Sequence, residues 1–573
     1  MPAVRARHNP TLAVVAAAML AAALLLAHWG RGQWFGSDDL GYTVRLATQP
    51  LGHALLHPPP NKYLIAVPLL LYDGLLRTFG FESYVPYRVL GILLVLLCAG
   101  LLFVLLRRRL PDRFAIPPML LMLFFGAGAG VVLTPTRIPS QIALATGLGM
   151  LLALERRDRT GDLVGMMLLG IALASHPLGI SFAGAAAVMI VLRGLNGWRA
   201  LWVVAIPGAL FAIWWFFIRP PTLPSLVPNR ASDIFPFVRQ SWAALTAAVT
   251  GLFSVLDDPA FHQPPAWIAA AALLALIVLG VAACWKRLPP TFWAALVGLL
   301  VLMATTRLSP AGFLRAPDEA RYLYPEAFLL LIALGTLAGT LRLPDWAMWG
   351  ASAVLVISLW PNIDRLVDTA REVRASSDHY RAEWSAVEIA GSRARPEFRP
   401  DPPSPDAAAY LTAVRTFGGG GGYSPETLAG RSNGIRYVVD SNLVAATALA
   451  LSPTGSRAPA GGSAPRLNGP AVRTTETARG CLTVAGTPQD AEPAQEIELV
   501  LPPGGVWLGP APLPDGAVKV GRFADRPMVE LASPPGAAAA ELRVSPDRYA
   551  VPWKLGLDTR RPLTVCGLAP PSG

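Results

Sequence analysis

Charged residues are scarce in this chain of 573 residues: they form 15% of it, against 53% hydrophobic residues and a mean hydropathy of +0.45. Soluble domains carry about 25% charged residues, so the composition excludes a soluble globular protein and predicts a polytopic membrane protein. A uniform basic coat for nucleic acid is also missing, because the net charge of +11 lies entirely in residues 1–361, with 26 Lys and Arg against 15 Asp and Glu. A basic balance confined to a membrane domain usually anchors cytoplasmic loops.

A clear small-residue cleavage site is missing after the first apolar stretch, which runs into the bulky Trp29 and Trp34. Although Arg5 and Arg7 precede this stretch as in a signal peptide, we interpret it as a retained first span. A span needs about 20 apolar residues to cross the hydrocarbon core. Eleven spans are predicted, at 11–28, 87–106, 114–133, 139–154, 162–176, 178–193, 200–217, 266–284, 290–305, 325–341 and 346–361.

Short basic connections between these spans set the predicted orientation. With the N-terminus in the cytoplasm, every one of them faces the cytoplasm, as the positive-inside rule expects. They contain Arg107–Arg109 with Arg113, residues 156–159, Arg193 with Arg199, Lys286 with Arg287, and Arg342. The odd number of spans then places residues 362–573 outside the cytoplasmic membrane.

Two further apolar segments are not assigned as spans. Residues 63–79 contain Asp73 and Arg77, which are costly inside a bilayer, so an interfacial helix on the outer face is predicted. Residues 241–256 are uncharged, but counting them as a span would move Lys286 outside and the C-terminal region into the cytoplasm. We expect this segment to lie in, or dip into, the outer leaflet.

Cysteine is rare, with four residues in the chain. Cys98 and Cys284 lie in apolar spans and are expected to act as small hydrophobic residues. Cys481 and Cys566 lie in β-like runs near the two ends of the C-terminal region. A disulfide between them is predicted in an oxidising compartment, with two buried free thiols as the alternative.

The predicted fold is a polytopic α-helical membrane protein with about eleven transmembrane helices, followed by an extracytoplasmic α/β region and a β-sandwich. Residues 1–361 form the membrane domain, with outer loops at 29–86, 218–265 and 305–325. Residues 362–470 form a mixed helical and linker region, with a low-complexity linker from Ser452 to Pro470. Residues 471–573 contain alternating runs separated by Pro and Gly turns, which are typical of a β-sandwich.

Two features of the outer region have competing interpretations. Trp507, Trp553 and Tyr549 suit a sugar ring if they are exposed, and form the core of a small sandwich if they are buried. Gly418–Gly422 is not a phosphate loop, because no Gly-Lys-Ser/Thr follows it. This run is expected to be a flexible loop over the membrane face.

Formal charge is absent from the predicted span cores, whereas a pump or ion-coupled transporter usually needs buried ionisable groups there. The unusual polar residues lie in the predicted outer loops instead. They are Ser37-Asp38-Asp39 and His57-Pro-Pro-Pro-Asn61-Lys62 in the first loop, Arg137 and His176 in smaller loops, and Arg321-Tyr322-Leu323-Tyr324-Pro325 in a late loop.

The order of these motifs resembles that of the GT-C glycosyltransferases, in the branch with protein mannosyltransferases and the lipid A aminoarabinose transferase. The order is an acidic pair after the first span, a His-Pro stretch, an interfacial helix, Tyr87-Arg88 leading into the second span, and Arg-Tyr-x-x-Pro before a late span. The resemblance covers residues 1–361, and its single motifs, such as Asp-Asp, are common.

The resemblance implies an inverting transfer of a sugar from a polyprenyl-phosphate donor to a glycan, lipid or protein of the cell envelope. It also implies that a carboxylate of the first outer loop acts as base on the acceptor hydroxyl. Asp38 takes the first place of the family's Asp-Glu and is the favoured base. Because Asp39 stands where the family has Glu, the choice between the two carboxylates stays open.

The leaving phosphate needs positive charge as the glycosidic bond breaks. Arg321 is the best match to the family's late motif, and Lys62 and Arg137 are further candidates for binding the donor phosphate. Arginine suits this role because its planar fork binds phosphate oxygens bidentately. Tyr322, His57 and His176 are the predicted substrate contacts, although a His-Pro turn at a span end is often only an interfacial break.

Structural alternatives exist for these assignments. For Asp38 and Asp39, the alternative to catalysis is a role as helix caps or solvated charges. For Arg321, the alternative is a surface ion-pair cluster with Asp318 and Glu319.

A divalent cation, Mg²⁺ or Mn²⁺, is one interpretation of Asp257-Asp258 acting with Asp38 or Asp39, because hard cations favour carboxylate oxygens. Solvated acids at a helix C-terminus are the other interpretation, and no cofactor is then required.

Three functions follow from the sequence. The leading one is a membrane glycosyltransferase whose partners are the lipid-linked donor, an envelope acceptor and the bilayer, without nucleic acid. The second is a lipid or glycan transporter or flippase, which predicts charged groups in the middle of the membrane. The third is a non-catalytic envelope sugar-binding protein, in which the β-sandwich carries the activity.

Overall fold

The computed structural model describes most of the chain: residues 10–59, 63–220, 234–252, 264–307, 319–459, 462–468, 474–478, 480–484, 497–510, 512–545, 549, 551–558 and 562–570. It divides into two compact units. The first, the helical unit, comprises Met1–Gln33, Gln49–Phe79 and Ser83–Ala375. The second, the mixed unit, comprises Trp34–Thr48, Gly80–Glu82 and Ser376–Gly573, so two pieces of the predicted first outer loop belong to the same unit as the C-terminal region.

The helical unit consists of α-helices, with 3₁₀ turns at Gly126–Gly128, Pro135–Arg137 and Trp285–Arg287 and a π-helical turn at Trp214–Ile218. Its first helices are α1 (Pro10–Trp29), and, after α2 (Ser37–Thr48) of the mixed unit, α3 (Leu51–Leu56), α4 (Ala66–Phe79), α5 (Val85–Arg107), α6 (Asp112–Leu123), α7 (Ala129–Val132), α8 (Ile138–Leu154), α9 (Arg159–Leu173) and α10 (Leu178–Val191). The later ones are α11 (Leu195–Trp198), α12 (Trp202–Ile213), α13 (Ile234–Leu252), α14 (Pro264–Cys284), α15 (Pro290–Arg307), α16 (Ala320–Leu341), α17 (Asp345–Ile357) and the first half of α18 (Leu359–Ala390).

Several of these helices have the length and composition of membrane spans. Within the described residues, seven segments are long and apolar enough: Pro10–Trp29, Val85–Arg107, Asp112–Val132, Pro135–Leu154, Trp267–Arg287, Ala320–Leu341 and part of Asp345–Arg393. Leu178–Val191, Trp202–Ile218, Ser241–Leu252 and Pro290–Thr306 are shorter apolar helices. The predicted span 162–176 corresponds to the 15-residue α9, and the segment kept out of the bilayer, 241–256, falls partly in the apolar helix α13.

The predicted span 114–133 is not one continuous helix. α6 ends at Leu123, a 3₁₀ turn covers Gly126–Gly128, and α7 ends at Val132 before a second 3₁₀ turn at Pro135–Arg137. The backbone N–H of Gly126 donates to Asn362 Oδ1 at 2.7 Å, so a buried side chain accepts a hydrogen bond at the interruption. We call residues 124–137 the broken segment, because regular helix is interrupted twice within it.

Short basic connections meet one another at one end of the helical unit. Glu155 joins three of them, because it accepts hydrogen bonds from Arg108 at 2.6 Å, from Arg109 at 3.3 Å and from Thr291. The other contacts are Arg113 with Asp345 at 2.7 Å and Arg193 with Asp162 at 2.6 Å. The connections that the charge pattern placed on one side of the membrane are therefore neighbours in space.

Exposed tryptophans lie near both ends of the apolar helices. Trp346 and Trp360, which are 78% and 81% exposed, lie in the first turn of α17 and in the first turn of α18 respectively. Trp198 and Trp285 are also exposed in the connections predicted to be cytoplasmic. Tryptophan is enriched at both membrane–water interfaces, so this placement suits a protein that crosses a bilayer.

The mixed unit contains α2, the second half of α18, α19 (Ala407–Phe417), α20 (Pro425–Ala429) and α21 (Asn433–Ala446), followed by strands. Two antiparallel sheets have the orders β1-β9-β6-β11-β4-β3 and β2-β5-β10-β7-β8. The strands are β1 (Leu451–Pro453), β2 (Arg466–Leu467), β3 (Thr474–Ala478), β4 (Cys481–Val484), β5 (Ile497–Val500), β6 (Val506–Gly509), β7 (Val518–Gly521), β8 (Val529–Glu530), β9 (Ala540–Leu542), β10 (Lys554–Leu557) and β11 (Leu563–Gly567). Part of the predicted linker 452–470 is therefore strand, at β1 and β2.

Cysteines and aromatic residues pack together in the first sheet. Cys481 and Cys566 are opposite each other in the β4–β11 register and are joined by a disulfide. Trp507 packs beside this disulfide and is 1% exposed, and Trp553 is 6% exposed. The interpretation of Trp507 and Trp553 as exposed sugar platforms is wrong, because both side chains fill the core.

Candidate functional site

Asp38 and Asp39 lie in the first turn of α2 but have different surroundings. Asp39 is fully buried, and its Oδ2 accepts a hydrogen bond from the backbone N–H of Gly36 at 3.1 Å. Gly36 directly precedes the helix, so Asp39 acts as the acidic half of a capping box. Asp38 is only half-buried. The structural alternative of a helix cap thus applies to Asp39, and Asp38 is the carboxylate that is accessible at this turn.

α2 is held firmly within the mixed unit. α19 packs against it, and the side chains of Leu40, Thr43 and Arg45 on α2 are buried. Burial lowers the pKa of the Arg45 guanidinium from its ordinary value, while the neighbouring Tyr42 acts in the opposite direction. Sequence reasoning missed Arg45, for which the available signal was a lone cation in the otherwise apolar second half of a short amphipathic helix.

Arg321 lies at the start of α16, one residue after the helix begins. Its side chain is about one-third exposed, pairs with Glu319, and has its guanidinium carbon 5.0 Å from the centre of the Tyr322 ring. Tyr322 itself is 6% exposed. The ion pair with Glu319 that the sequence offered as an alternative is present, whereas Asp318 lies outside the described residues. A guanidinium has five N–H donors, so a partly exposed arginine that pairs with Glu319 retains donors that an anion can use.

The broken segment packs against the N-terminal part of α16. A Cβ atom added at Gly130 would lie 3.4 Å from Ala320, and one added at Gly128 would lie 2.7 Å from the Tyr324 ring. Arg137 is half-buried at the end of the second 3₁₀ turn. The first 3₁₀ turn and α7 of the broken segment therefore lie against the start of α16, which carries Arg321, and Arg137 follows them in the chain.

A small cleft lies on the other side of the broken segment. It is lined by Arg88, Gly91, Thr134, Pro135 and Gln141, among others, and about 10 Å³ of it is open to a water molecule. Among the described residues, Arg88 Nε and Gln141 Oε1 are buried atoms for which no hydrogen-bond partner is found. Arg88 belonged to the sequence motif at the start of the second span, but its place beside this cleft was not foreseen.

The predicted substrate contacts His57 and His176 lie in the connections that follow α3 and α9, and each contacts another aromatic ring. The rings of His57 and His53 are stacked with centroids 4.4 Å apart, and His176 meets the edge of Tyr63 at 4.8 Å. His176 Nδ1 also accepts the backbone N–H of Leu178 at 3.2 Å, as in a local turn. One of the two ring nitrogens of His176, Nδ1, is therefore used in a local turn.

Hydrogen bonds link these connections to each other. The N–H of Val67 donates to Ala174 O at 3.2 Å, and Trp214 Nε1 donates to Leu56 O at 2.7 Å. The loops that follow α3, α9 and α12 are thus neighbours, as the predicted topology requires of loops on one side of the membrane. Lys62, a predicted phosphate ligand, lies outside the described residues.

Metal ligation is not supported by the described residues. They contain no group of three or more His, Cys, Asp or Glu side chains placed to hold a metal ion. Asp257 and Asp258, the predicted metal ligands, lie outside the described residues.

Glu326 is a buried carboxylate that the sequence analysis passed over. It follows Pro325 in α16, and its side chain has no exposed surface. Glu326 is the second residue of the predicted span 325–341, so it lies at the edge of that span but within the longer helix α16. The signal in the sequence was that Glu326 stands directly before a long apolar run, but the sequence analysis treated this residue as the edge of a span.

Comparisons with known proteins identify no family model and no curated protein that matches this chain. Among solved structures, the chain is similar to the crystal structure of ArnT from Cupriavidus metallidurans bound to undecaprenyl phosphate. The two share 13% sequence identity, the alignment covers 71% of this chain and 85% of that chain, and the TM-score is 0.45. Because identity and TM-score are both low, the function of this chain has to be argued from its own residues.

Proposed function

We propose that this protein is a membrane glycosyltransferase that moves a sugar from a polyprenyl-phosphate donor to an extracytoplasmic acceptor of the cell envelope, with Asp38 as the base. The observation that carries the proposal is the division of labour between two adjacent carboxylates. Asp39 is buried and caps α2, while Asp38 in the same turn is half-buried and keeps surface from which it can reach a substrate. A capped, immobile helix is a suitable support for a base, because a proton acceptor must be held at hydrogen-bond distance from the reacting hydroxyl.

The chemistry assigned to Asp38 is a single displacement. Asp38 accepts the proton of the acceptor hydroxyl as its oxygen forms a bond to the anomeric carbon of the donor. The bond from that carbon to the phosphate oxygen breaks, and polyprenyl phosphate leaves with the electron pair. Because the oxygen attacks opposite the leaving group, the configuration of the anomeric carbon is inverted.

The donor phosphate is assigned to arginines of the helical unit. Arg321 supplies a guanidinium that is one-third exposed, and Arg137 lies on the broken segment that packs against α16. Charge-assisted hydrogen bonds from guanidinium groups stabilise the negative charge that develops on the leaving oxygen. Lys62 and the substrate contacts Tyr322, His57 and His176 complete the set of residues that the proposal includes.

A divalent cation at Asp257 and Asp258 is a separate and weaker part of the proposal. The described residues supply no metal cluster, so no step of the reaction is assigned to a cation. Removal of divalent ions with a chelator during an activity assay measures directly whether the reaction needs one.

Transport of a lipid or glycan is the second candidate function, and Glu326 is the observation that favours it. Ionisable groups buried among membrane helices often mark transport pathways. Glu326 has no exposed surface in α16. By contrast, the third candidate, an envelope sugar-binding protein, loses two of its three proposed aromatic platforms, because Trp507 and Trp553 are core residues.

A donor assay on purified protein in lipid tests the proposal. The protein is incubated with a panel of radiolabelled polyprenyl-phosphate sugars and a crude envelope extract as acceptor. We expect donor-dependent incorporation in the wild type and a loss of about 10²- to 10⁴-fold for Asp38→Asn, the usual value of a general base. Asp525→Asn is the matched control, because Asp525 is an exposed aspartate of the same unit, with 65% of its side chain accessible.

Two outcomes would contradict the proposal. Undiminished incorporation by a folded Asp38→Asn protein would remove the base assignment. No turnover with any donor would favour transport, and Glu326→Gln would then be compared with the wild type in a vesicle assay of lipid translocation.

A further inference from the structure

The glycine run Gly418–Gly422 is fixed by side chains of α18, although the sequence predicts a flexible loop. Arg381 Nε donates to Gly421 O at 2.6 Å. The N–H of Gly422 donates to Glu388 Oε1 at 3.3 Å, and Tyr410 Oη donates to the same oxygen at 2.5 Å. One carboxylate thus ties the glycine run to α19, which ends immediately before the run.

The run has almost no room for side chains. A Cβ atom at Gly422 would lie 2.9 Å from the Glu388 carboxylate, and one at Gly420 would overlap it. On the opposite side, a Cβ atom at Gly421 would lie 2.7 Å from Glu82 O. The backbone of the run is therefore packed between α18 and residues 80–82, an approach that glycine alone permits.

Residues 80–82 and the start of α2 are held by the same cluster. The N–H of Phe81 donates to Gly418 O at 3.4 Å. The ring of Phe81 lies 5.9 Å from that of Tyr410 and 4.7 Å from that of Phe35, and all three side chains are fully buried. Phe35 is three residues before Asp38. A continuous path of contacts therefore runs from the half-buried Glu388 through the buried rings of Tyr410, Phe81 and Phe35 to the turn that carries Asp38.

We propose that Glu388 and the glycine run form a latch that positions Asp38, with Glu388 as a positioning residue that does not touch the substrate. That Asp38 is the base of a sugar transfer rests on the proposed function. The support that Glu388 and the glycine run give to α2 does not depend on it. Burial and the Glu388 carboxylate both raise the pKa of Tyr410 well above its ordinary value, so this hydroxyl stays protonated and keeps donating. Loss of the acceptor on Glu388 removes one hydrogen bond from Tyr410 and one from the glycine run, which keeps its hydrogen bond to Arg381.

Hydrogen exchange measures the latch without reference to activity. In Glu388→Ala and in Gly420→Ala, the backbone amides of α2 should exchange at least about tenfold faster than in the wild type, because the support of the helix is removed. Gly434→Ala is the matched control, since Gly434 lies in α21 of the same unit with open space at its Cβ position. Unchanged exchange of α2 in both variants would overturn the proposal.

Two further variants separate positioning from general damage. Glu388→Gln retains an oxygen for the Tyr410 hydroxyl and should keep α2 close to wild-type protection. Gly420→Ala combined with Glu388→Ala should exchange no faster than Glu388→Ala alone, because the overlap at Gly420 is with the deleted carboxylate. Additive acceleration would contradict the latch.

Sugar-transfer kinetics then connect the latch to Asp38. Glu388→Ala should lower kcat about tenfold or more and leave the affinity for the donor unchanged, because only the base is displaced. A higher KM at unchanged kcat would overturn the positioning role. If α2 exchanges faster in the variants but the wild type transfers no sugar from any donor, the latch stands and the proposed function fails.

Discussion

Replacing Asp440 by alanine should destabilise the mixed unit more than any exposed substitution near it. Asp440 lies in α21 and is fully buried. Its Oδ2 accepts backbone N–H bonds from Arg522 at 2.9 Å, from Phe523 at 3.1 Å and from Ala524 at 2.9 Å. One carboxylate therefore fixes the turn after β7 to a helix that precedes all of the strands.

The size of the effect follows from these three bonds. A buried donor left without its acceptor costs about 1–3 kcal/mol, so three donors cost about 3 kcal/mol even at the low end. For a unit of this size, about 1 kcal/mol lowers Tm by about 2–4 °C, which gives a shift of about 6–12 °C. This is a large part of the 5–15 kcal/mol that stabilises a typical domain.

Thermal unfolding of the purified protein in detergent, followed by tryptophan fluorescence, measures the shift. Asp525→Asn is the control, because Asp525 pairs with Arg436 at 2.7 Å but is 65% exposed. An exposed ion pair contributes about 0–1 kcal/mol, so the control should unfold within a few degrees of the wild type. Equal shifts for Asp440→Ala and Asp525→Asn would refute the reasoning.

The same carboxylate predicts a pH dependence. Burial raises the pKa of Asp440 above its ordinary value, while the N–H groups of residues 522–524 and Lys554 act in the opposite direction. The folded unit therefore holds this proton more tightly than the unfolded chain, whose aspartates titrate near about 3.9. The contribution is fully present below that pH and is lost as pH rises through the higher folded pKa. Because Asp440→Asn cannot titrate, its stability should lack the decline that the wild type shows as pH rises above about 4, and an identical profile would contradict this reasoning.

Three further substitutions test other parts of the structure. Asp39→Ala removes the cap of α2 and should cost about 1 kcal/mol of stability in a melting experiment, whereas Asp38→Asn should leave Tm unchanged; the reverse pattern would contradict the assigned roles. Glu155→Ala removes the acceptor shared by three connections of the helical unit and should lower its melting temperature measurably more than Arg159→Ala, an exposed control nearby. Gly126→Ala adds a Cβ atom that overlaps the backbone of Asn362, so it should destabilise the helical unit by about 1–3 kcal/mol, and a neutral melting curve would show that the broken segment can move.

Periodicity and charge predicted the larger features of the fold well. Apolar runs located most helices of the helical unit, because a membrane segment needs a long apolar stretch regardless of what it packs against. The alternating runs at β5, β7, β9 and β11 likewise gave the positions of strands, because one face of each is buried. The interruption at Gly126 was missed, since an apolar sequence reads the same whether its backbone is helical or broken.

Local patterns were less informative about individual side chains. The pair at Asp38 and Asp39 was recognised as a candidate, but adjacent identical residues cannot be told apart by type. They differ in burial, since Asp39 is buried and accepts the N–H of Gly36 whereas Asp38 is half-buried. Glu388 was not considered at all, since a lone glutamate on a polar helix has no motif.

Composition, apolar length and the distribution of arginine determine by themselves that this chain is built of membrane-type helices with a polar C-terminal region. These properties follow from transfer of side chains between water and apolar surroundings, which depends on the sequence alone. Tertiary structure decided which carboxylate caps α2, that Trp507 and Trp553 are buried, and that the glycine run is packed rather than free. Each of these depends on groups brought together from distant parts of the chain, such as residues 81, 388 and 410, whose contacts have no counterpart in local sequence.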